Sequence, residues 1–345
     1  MKGTLIALDR IGTRAVAARL VDGRLDDLLV DPPDETPRPG AIYRVICDRP
    51  VKGQGGMFVK LPDGATGFLR GVTGLRPGQP VLAQVTGHAE PGKAVPLTRR
   101  VLFKSRYAIV TPEAPGINIS RRIRDEETRV RLLEIAHDQM PGESETGLIL
   151  RSQAAEADDD ALAADIAAMR DLAARVLADA DAAGAELLVD GPDAHELAWR
   201  DWPAPDQLDE GEGSFARHGV AEMLSEMRRP EARLPGGALA FIEPTRALVA
   251  VDVNTLSDTS PAAGLKANLA LARDLPRQLR CRGLGGLIVI DFAPMPKKDR
   301  RQVEGALKAA FRADPVETAL AGWTTLGNFE LQRKRERLPL AEVLP

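Results

Sequence analysis

The segment from Ala247 to Phe292 leaves few folds open to this chain. It reads Ala-Leu-Val-Ala-Val-Asp252-Val-Asn254, then a helical stretch, then Gly-Gly-Leu-Ile-Val-Ile-Asp291-Phe. Both apolar runs are short, β-branched and bounded by polar or glycine residues, so each predicts a buried strand. Between them Leu265, Leu269, Ala272, Leu275 and Leu279 recur at helical spacing. Strand, helix, strand implies a right-handed crossover and parallel strands. Each aspartate then falls near the carboxyl end of its strand, on the sheet edge where open α/β sheets form ligand sites. Two carboxylates brought close repel unless a cation lies between them. An all-oxygen pair suits Mg²⁺, with Mn²⁺ as an alternative. The competing reading is that strand-end aspartates cap the next turn.

Other chemistries fare worse. Cys47 and Cys281 are the only cysteines, so neither a disulfide framework nor a four-thiolate zinc site fits in one chain. His88, His137, His195 and His218 are scattered, outside any ligand or nucleophile motif. Gly283-Leu-Gly285-Gly286 precedes a strand instead of opening a helix, so it is no dinucleotide fingerprint. No apolar run reaches the ~20 residues of a membrane span, and the first residues lack a signal-peptide pattern. The expectation is a cytoplasmic protein with no membrane association. A net charge of −4 sits poorly with nucleic-acid binding, yet base is concentrated at 99–106, 121–124, 277–282 and 333–337. Local patches, not the sum, decide phosphate binding.

A length of 345 residues gives a prior of about two domains, with three small ones possible. Strands are predicted at 4–8 and 15–20, before Pro32-Pro33 breaks the pattern. From about 38 to 104 short strands alternate with glycine turns, the pattern of a small barrel. There Phe58 and Phe68 fall on neighbouring strands across Pro62-Asp63-Gly64. Exposed rings on such a barrel stack bases, whereas buried ones fill its core. A mixed region follows, with a long helix on which Leu162, Ile166, Met169, Ala173, Val176 and Leu177 share a face.

Leu248-Val-Ala-Val-Asp252-Val-Asn254, Asn268-Leu-Ala, Arg277-Gln-Leu-Arg280 and Leu284-Gly-Gly-Leu-Ile-Val-Ile-Asp291-Phe closely resemble, in colinear order, the ribonuclease E/G family of bacterial endoribonucleases. The resemblance covers nearly the whole chain. It implies a multidomain α/β protein: an RNase H-like α/β element (1–37 and 156–213), an inserted S1-like OB barrel (38–104), a 5′-sensor region (105–155) and a DNase I-like α/β catalytic subdomain (214–345). It implies Mg²⁺ held by Asp252 and Asp291, with Asn254 orienting water or the scissile phosphate. Single-stranded RNA, from mRNA or rRNA precursors, would then be cut to 5′-phosphate and 3′-hydroxyl ends. Phe58, Phe68 and Lys93 match the RNA-binding positions of the barrel, and Arg333 and Arg335 a basic segment near the active site. Ile109, Arg151 and Ser152, with Arg121 and Arg122, match the pocket that senses a 5′-monophosphate. A weakly active or inactive RNA-binding relative, acting as a chaperone or assembly factor, is the alternative.

The chain also departs from the family. Residues 255–267 are shorter and carry Gly264-Leu265-Lys266-Ala267 where a Glu-Thr pair is usual. Pro276 falls inside the crossover helix, which predicts a kink or a restart with Asp274 as N-cap. The cysteine pair that joins subunits through zinc in longer relatives is missing, so the expectation is no zinc and a monomer or weak homodimer.

Overall fold

The computed structural model describes residues 2–33, 36–51, 53, 55–90, 92–142, 145–258, 260 and 262–344. The chain divides into two compact units, residues 1–34 with 205–345, and residues 35–204.

In the first unit, strands Thr4–Ile11, Arg14–Val21 and Arg24–Val30 form an antiparallel meander, and Gln207–Asp209 adds a parallel strand at its edge. A second sheet has six strands in the order Glu231–Arg233, Leu239–Pro244, Val249–Asn254, Gly286–Asp291, Phe329–Arg333, Thr318–Trp323. Its central pair, Val249–Asn254 and Gly286–Asp291, is the predicted parallel pair. Every other residue of those strands, from Val249 and Val251 to Ile288 and Ile290, is buried with Leu271, Leu275, Leu279, Leu307 and Phe311 of the helices Ala263–Arg282 and Arg300–Ala313. The opposite face is open along Asp252, Asn254, Leu287 and Asp291.

The crossover helix does not restart at Pro276. It runs unbroken from Ala263 to Arg282 through Pro276, and Asp274 is no N-cap. Its carboxylate is taken by Arg277, Gln278 and Arg24. Packing explains this. One flank faces the six-stranded sheet, while Cys281 joins Leu5, Leu20, Leu25 and Leu28 of the meander in a separate core. Burial on two sides holds a helix that a proline would otherwise break, at a cost of ~3 kcal/mol.

The second unit contains a closed five-stranded barrel, Ile42–Val51, Gly56–Lys60, Thr66–Arg70, Val95–Thr98 and Pro80–Val85, with the last pairing back to the first. Val45, Cys47, Met57, Val59, Leu69, Ala83 and Leu97 fill it. A four-stranded sheet, Phe103–Lys104, Ala108–Thr111, Gly147–Leu150 and Ile117–Ile119, carries the helices Glu126–Gln139 and Asp159–Ala178. The long helix is capped by Asp158, which accepts the Ala161 N–H. Its apolar face, Leu162, Ile166, Ala173 and Val176, packs on Phe103, Val110, Leu148 and Leu150, with Leu177 turned outward. Here the expected division changes. Residues 156–204 belong with the barrel unit, and only the Gln207–Asp209 strand returns to the amino-terminal sheet. A helix stripe is satisfied by any apolar face, and the sensor-region sheet supplies it.

Candidate functional site

Asp252 and Asp291 stand directly opposite each other on the two parallel strands, where neighbouring backbones lie about 4.8 Å apart. Both side chains are exposed on the open face. Among the described residues neither carboxylate is joined to a cationic side chain, so the pair faces a like charge with no counter-ion. Asn254 lies two residues on, on the same face, and its Oδ1 accepts the Leu256 N–H at 2.8 Å. That side-chain turn holds Leu256 at φ +53° and carries the chain away from the strand end.

The exit of the other strand is held more tightly. Asn268, fully buried on the crossover helix, donates through Nδ2 to Ala293 O at 2.9 Å and accepts the Ala293 N–H through Oδ1 at 3.0 Å. One turn earlier, a Cβ on Gly264 would stand 2.2 Å from Pro294 O. Only glycine lets the helix start press against the loop that follows Asp291. Two carboxylates and an amide on one rim form an all-oxygen donor set with open positions, which fits a hard divalent cation. No group of three or more His, Cys, Asp or Glu side chains gathers around a common point among the described residues.

The cations near this rim are not those expected. Arg333 is 2% exposed; it pairs with Asp314, donates to Thr318 and lies over the Phe311 ring. Arg335 is exposed, but its guanidinium lies against Gly286, at the amino end of the strand that ends in Asp291. At ~3.3 Å per residue that is the far edge of the sheet. The 277–282 cluster is interior too. Arg277 pairs with Asp274, Arg280 with Asp314 and Asp26, and Arg282 donates to Arg229 O and Glu231 O. Residues that sequence reasoning missed stand in their place. Arg233 is exposed and reaches the face of Asn254 through the register Arg233–Leu239–Asn254. Lys297 and Lys298 are exposed in the turn after Asp291. Two lysines just beyond that strand were legible as a signal; Arg233 was not.

On the barrel, Phe58 and Phe68 are cross-strand partners with ring centroids 5.4 Å apart. They alternate with the buried Met57, Val59 and Leu69 and are themselves half-buried, which places them on the outer wall instead of in the core. Arg49 lies over the Phe58 ring at 5.1 Å. A Cβ on Gly56 would stand 2.4 Å from Phe68 Cζ, so glycine clears the ring's seat. Lys93 is exposed and paired with Glu90 at 2.8 Å, and Lys60 and Arg70 are exposed beside the rings.

The residues expected to sense a 5′-phosphate lie towards one edge of the four-stranded sheet, and Arg151 there makes contacts that the sequence did not predict. Its Nη1 donates to Arg106 O and Arg200 O at 3.1 and 3.0 Å and also to Ser105 O; its Nη2 pairs with Asp201 at 2.7 Å. Nη1 and one side of Nη2 are thereby committed inside the protein. Arg151 is a tie between the sheet and the helix Ala194–Asp201. Ser152 opens a short 3₁₀ turn and donates to Gln153 Oε1 at 3.3 Å. Ile109 is half-buried between Lys104 and Ile149. Arg121 and Arg122 are exposed just after strand Ile117–Ile119.

A family model described as the Ribonuclease E/G family matches residues 103–207 and 207–336. Among curated proteins, a Ribonuclease G of Escherichia coli (strain K12) is 30% identical over 311 residues, 78% of this chain and 62% of the relative. A Ribonuclease E of Nostoc sp. (strain PCC 7120) is 29% identical over 309 residues, 78% of this chain and 45% of the relative. A Ribonuclease E of Synechocystis sp. (strain PCC 6803) is 30% identical, with 46% of the relative covered. The chain thus spans about half the length of the curated relatives it matches.

Proposed function

The chain belongs to the ribonuclease E/G family, and from that membership we propose that it is a Mg²⁺-dependent endoribonuclease acting on single-stranded RNA. The observation that carries the reading is the in-register pair Asp252 and Asp291, two facing carboxylates that pair with no cationic side chain among the described residues, with Asn254 on the same rim. Asp252 and Asp291 would hold the cation, with Mn²⁺ as a substitute. Bound there, a divalent ion lowers the pKa of water and offsets charge developing on the phosphate. Asn254 orients the attacking water or a phosphate oxygen through its Nδ2 donors. Asn268 keeps the loop after Asp291 in place, so that the two carboxylates stay opposed. Arg233, Lys297 and Lys298 supply positive charge for RNA phosphates at the rim. The barrel holds the strand: Phe58 and Phe68 stack bases at roughly 1–3 kcal/mol each without regard to sequence, and Lys93 follows the backbone. Hydrolysis leaves a 5′-phosphate and a 3′-hydroxyl. In this reading residues 214–345 are the DNase I-like catalytic subdomain, and the amino-terminal meander is the RNase H-like element.

The test is cleavage of a labelled, 5′-monophosphorylated single-stranded oligonucleotide with and without Mg²⁺. Asp252→Asn and Asp291→Asn are expected to cut at less than about a tenth of the parent rate, since losing a ligand costs at least that much. RNA affinity should stay nearly unchanged. Faster cutting by both variants would remove the metal assignment. Binding without any cutting by the parent would favour the RNA-chaperone alternative.

A further inference from the structure

The sheet edge that engages Arg151 presents a feature the function above does not use. Phe103–Lys104 ends there, Ala108–Thr111 begins there, and Ile117–Ile119 and Gly147–Leu150 both end there. The edge therefore collects Lys104, Arg106, Arg121, Arg122 and Arg151. The docked helix Ala194–Asp201 adds Arg200 and Trp199. Against these six cations stand Asp201, shared by Lys104, Arg151 and Arg200, Asp165, which accepts from Ser105 Oγ and the Tyr107 N–H, and Glu196 in the first turn of the docked helix, which accepts the Asp193 N–H. The edge keeps a surplus of positive charge.

Trp199 is 63% exposed on this basic edge. Arg106 lies over its ring at 4.3 Å, donates to Trp199 O, and also approaches the Tyr107 ring at 5.9 Å. A guanidinium stacked on one face of an indole fixes the ring, and the rest of the ring is open to solvent. A large apolar ring held in the open costs solubility, and surrounding cations rule against an apolar or basic partner. An unpaired base meets both demands, because its π-face stacks on indole and its phosphates answer the arginines.

We propose that Trp199, backed by Arg106, is a base-stacking site for single-stranded RNA, with the exposed Arg121 and Arg122 of the same edge taking its phosphates. The inference rests on the ribonuclease reading and extends it, because it gives the chain a second strand-holding surface besides the barrel rings. Arg151 then acts indirectly, as a positioning residue: it fixes Asp201 and the helix that presents Trp199.

Binding of a fluorescein-labelled single-stranded RNA is measured by anisotropy in EDTA, so that no cutting intervenes. Trp199→Ala and Trp199→Leu are expected to bind roughly tenfold more weakly, and Trp199→Phe within about twofold of the parent. The exposed position predicts an unchanged melting temperature for all three. RNA should quench indole emission in the parent, and most of that quenching should vanish in Trp199→Phe. Full affinity in Trp199→Ala, or quenching undiminished in Trp199→Phe, overturns the stacking site and leaves the ribonuclease reading intact. Failure of the parent to bind also overturns the stacking site, and the cleavage assay with and without Mg²⁺ then decides the ribonuclease reading separately.

Discussion

Arg333 and Arg335 are two residues apart and chemically identical, yet the tertiary structure buries the first and leaves the second exposed. Arg333 shares the fully buried Asp314 with Arg280, so its charge is spent inside the protein. Removing one partner of such a pair leaves an uncompensated buried charge. Arg333→Ala is therefore expected to lower unfolding stability by about 3 kcal/mol in a denaturant titration, less if Arg280 takes up the freed Asp314 oxygen. RNA affinity of the folded variant should match the parent. A drop in affinity at unchanged stability would return Arg333 to the RNA-binding surface. Arg151 teaches the same lesson at the edge of the four-stranded sheet. An arginine at a strand end looks free in sequence, but its donors are claimed by backbone carbonyls and an aspartate about fifty residues away.

At the scale of elements, the crossover helix links the fold to the site. It is buried between two sheets, which explains both its tolerance of Pro276 and its lining of paired arginines. Its first turns fix the rim, with Gly264 against Pro294 and Asn268 clasping both polar groups of the Ala293 backbone. Asn268→Ala would leave a buried N–H and C=O without partners, at roughly 1–3 kcal/mol for each group left unmade. The expected result is a loss of about 2–4 kcal/mol in denaturation, together with slower cleavage at unchanged RNA affinity. If cleavage by the folded variant equals that of the parent, Asn268 holds the helix but not Asp291.

For the whole molecule, acid stability should fall in two steps. Burial pushes His88 down to about 4 from 6.5, and among the described residues its buried Nδ1 has no partner. A base whose folded pKa lies below its unfolded value favours folding while both states are neutral. Its contribution is present above pH 6.5 and is lost as pH falls from 6.5 towards 4, about 3 kcal/mol in all. The carboxylates act lower. Burial alone would raise Asp27, but Arg337 and Arg280 hold it below the usual carboxylate value; Asp274 is likewise buried and brought down by Arg277. Their stabilisation is present above pH 3.8 and lost below it. His88→Gln is expected to flatten the upper step of a denaturation-midpoint curve against pH and to leave the lower one. An unchanged upper step would assign it to another group.

The sequence by itself determined what depends on local period. Alternation in Val249–Asn254 and Gly286–Asp291 fixed which side chains share a face, and the intervening helix fixed parallel pairing, so Asp252 and Asp291 had to meet. Alternation also put Phe58 and Phe68 on one side of the barrel wall; only the closed barrel, with Met57, Val59 and Leu69 inside, decided that this side was outward. The long helix was legible from its apolar stripe, but which sheet it covers was not, because one apolar face fits another without regard to chain order. The arginines were least legible of all. Whether a guanidinium meets solvent, a carbonyl or a carboxylate depends on residues far away in the chain, and the tertiary structure alone brings Asp314 to Arg333, Asp201 to Arg151 and Arg106 to the open ring of Trp199.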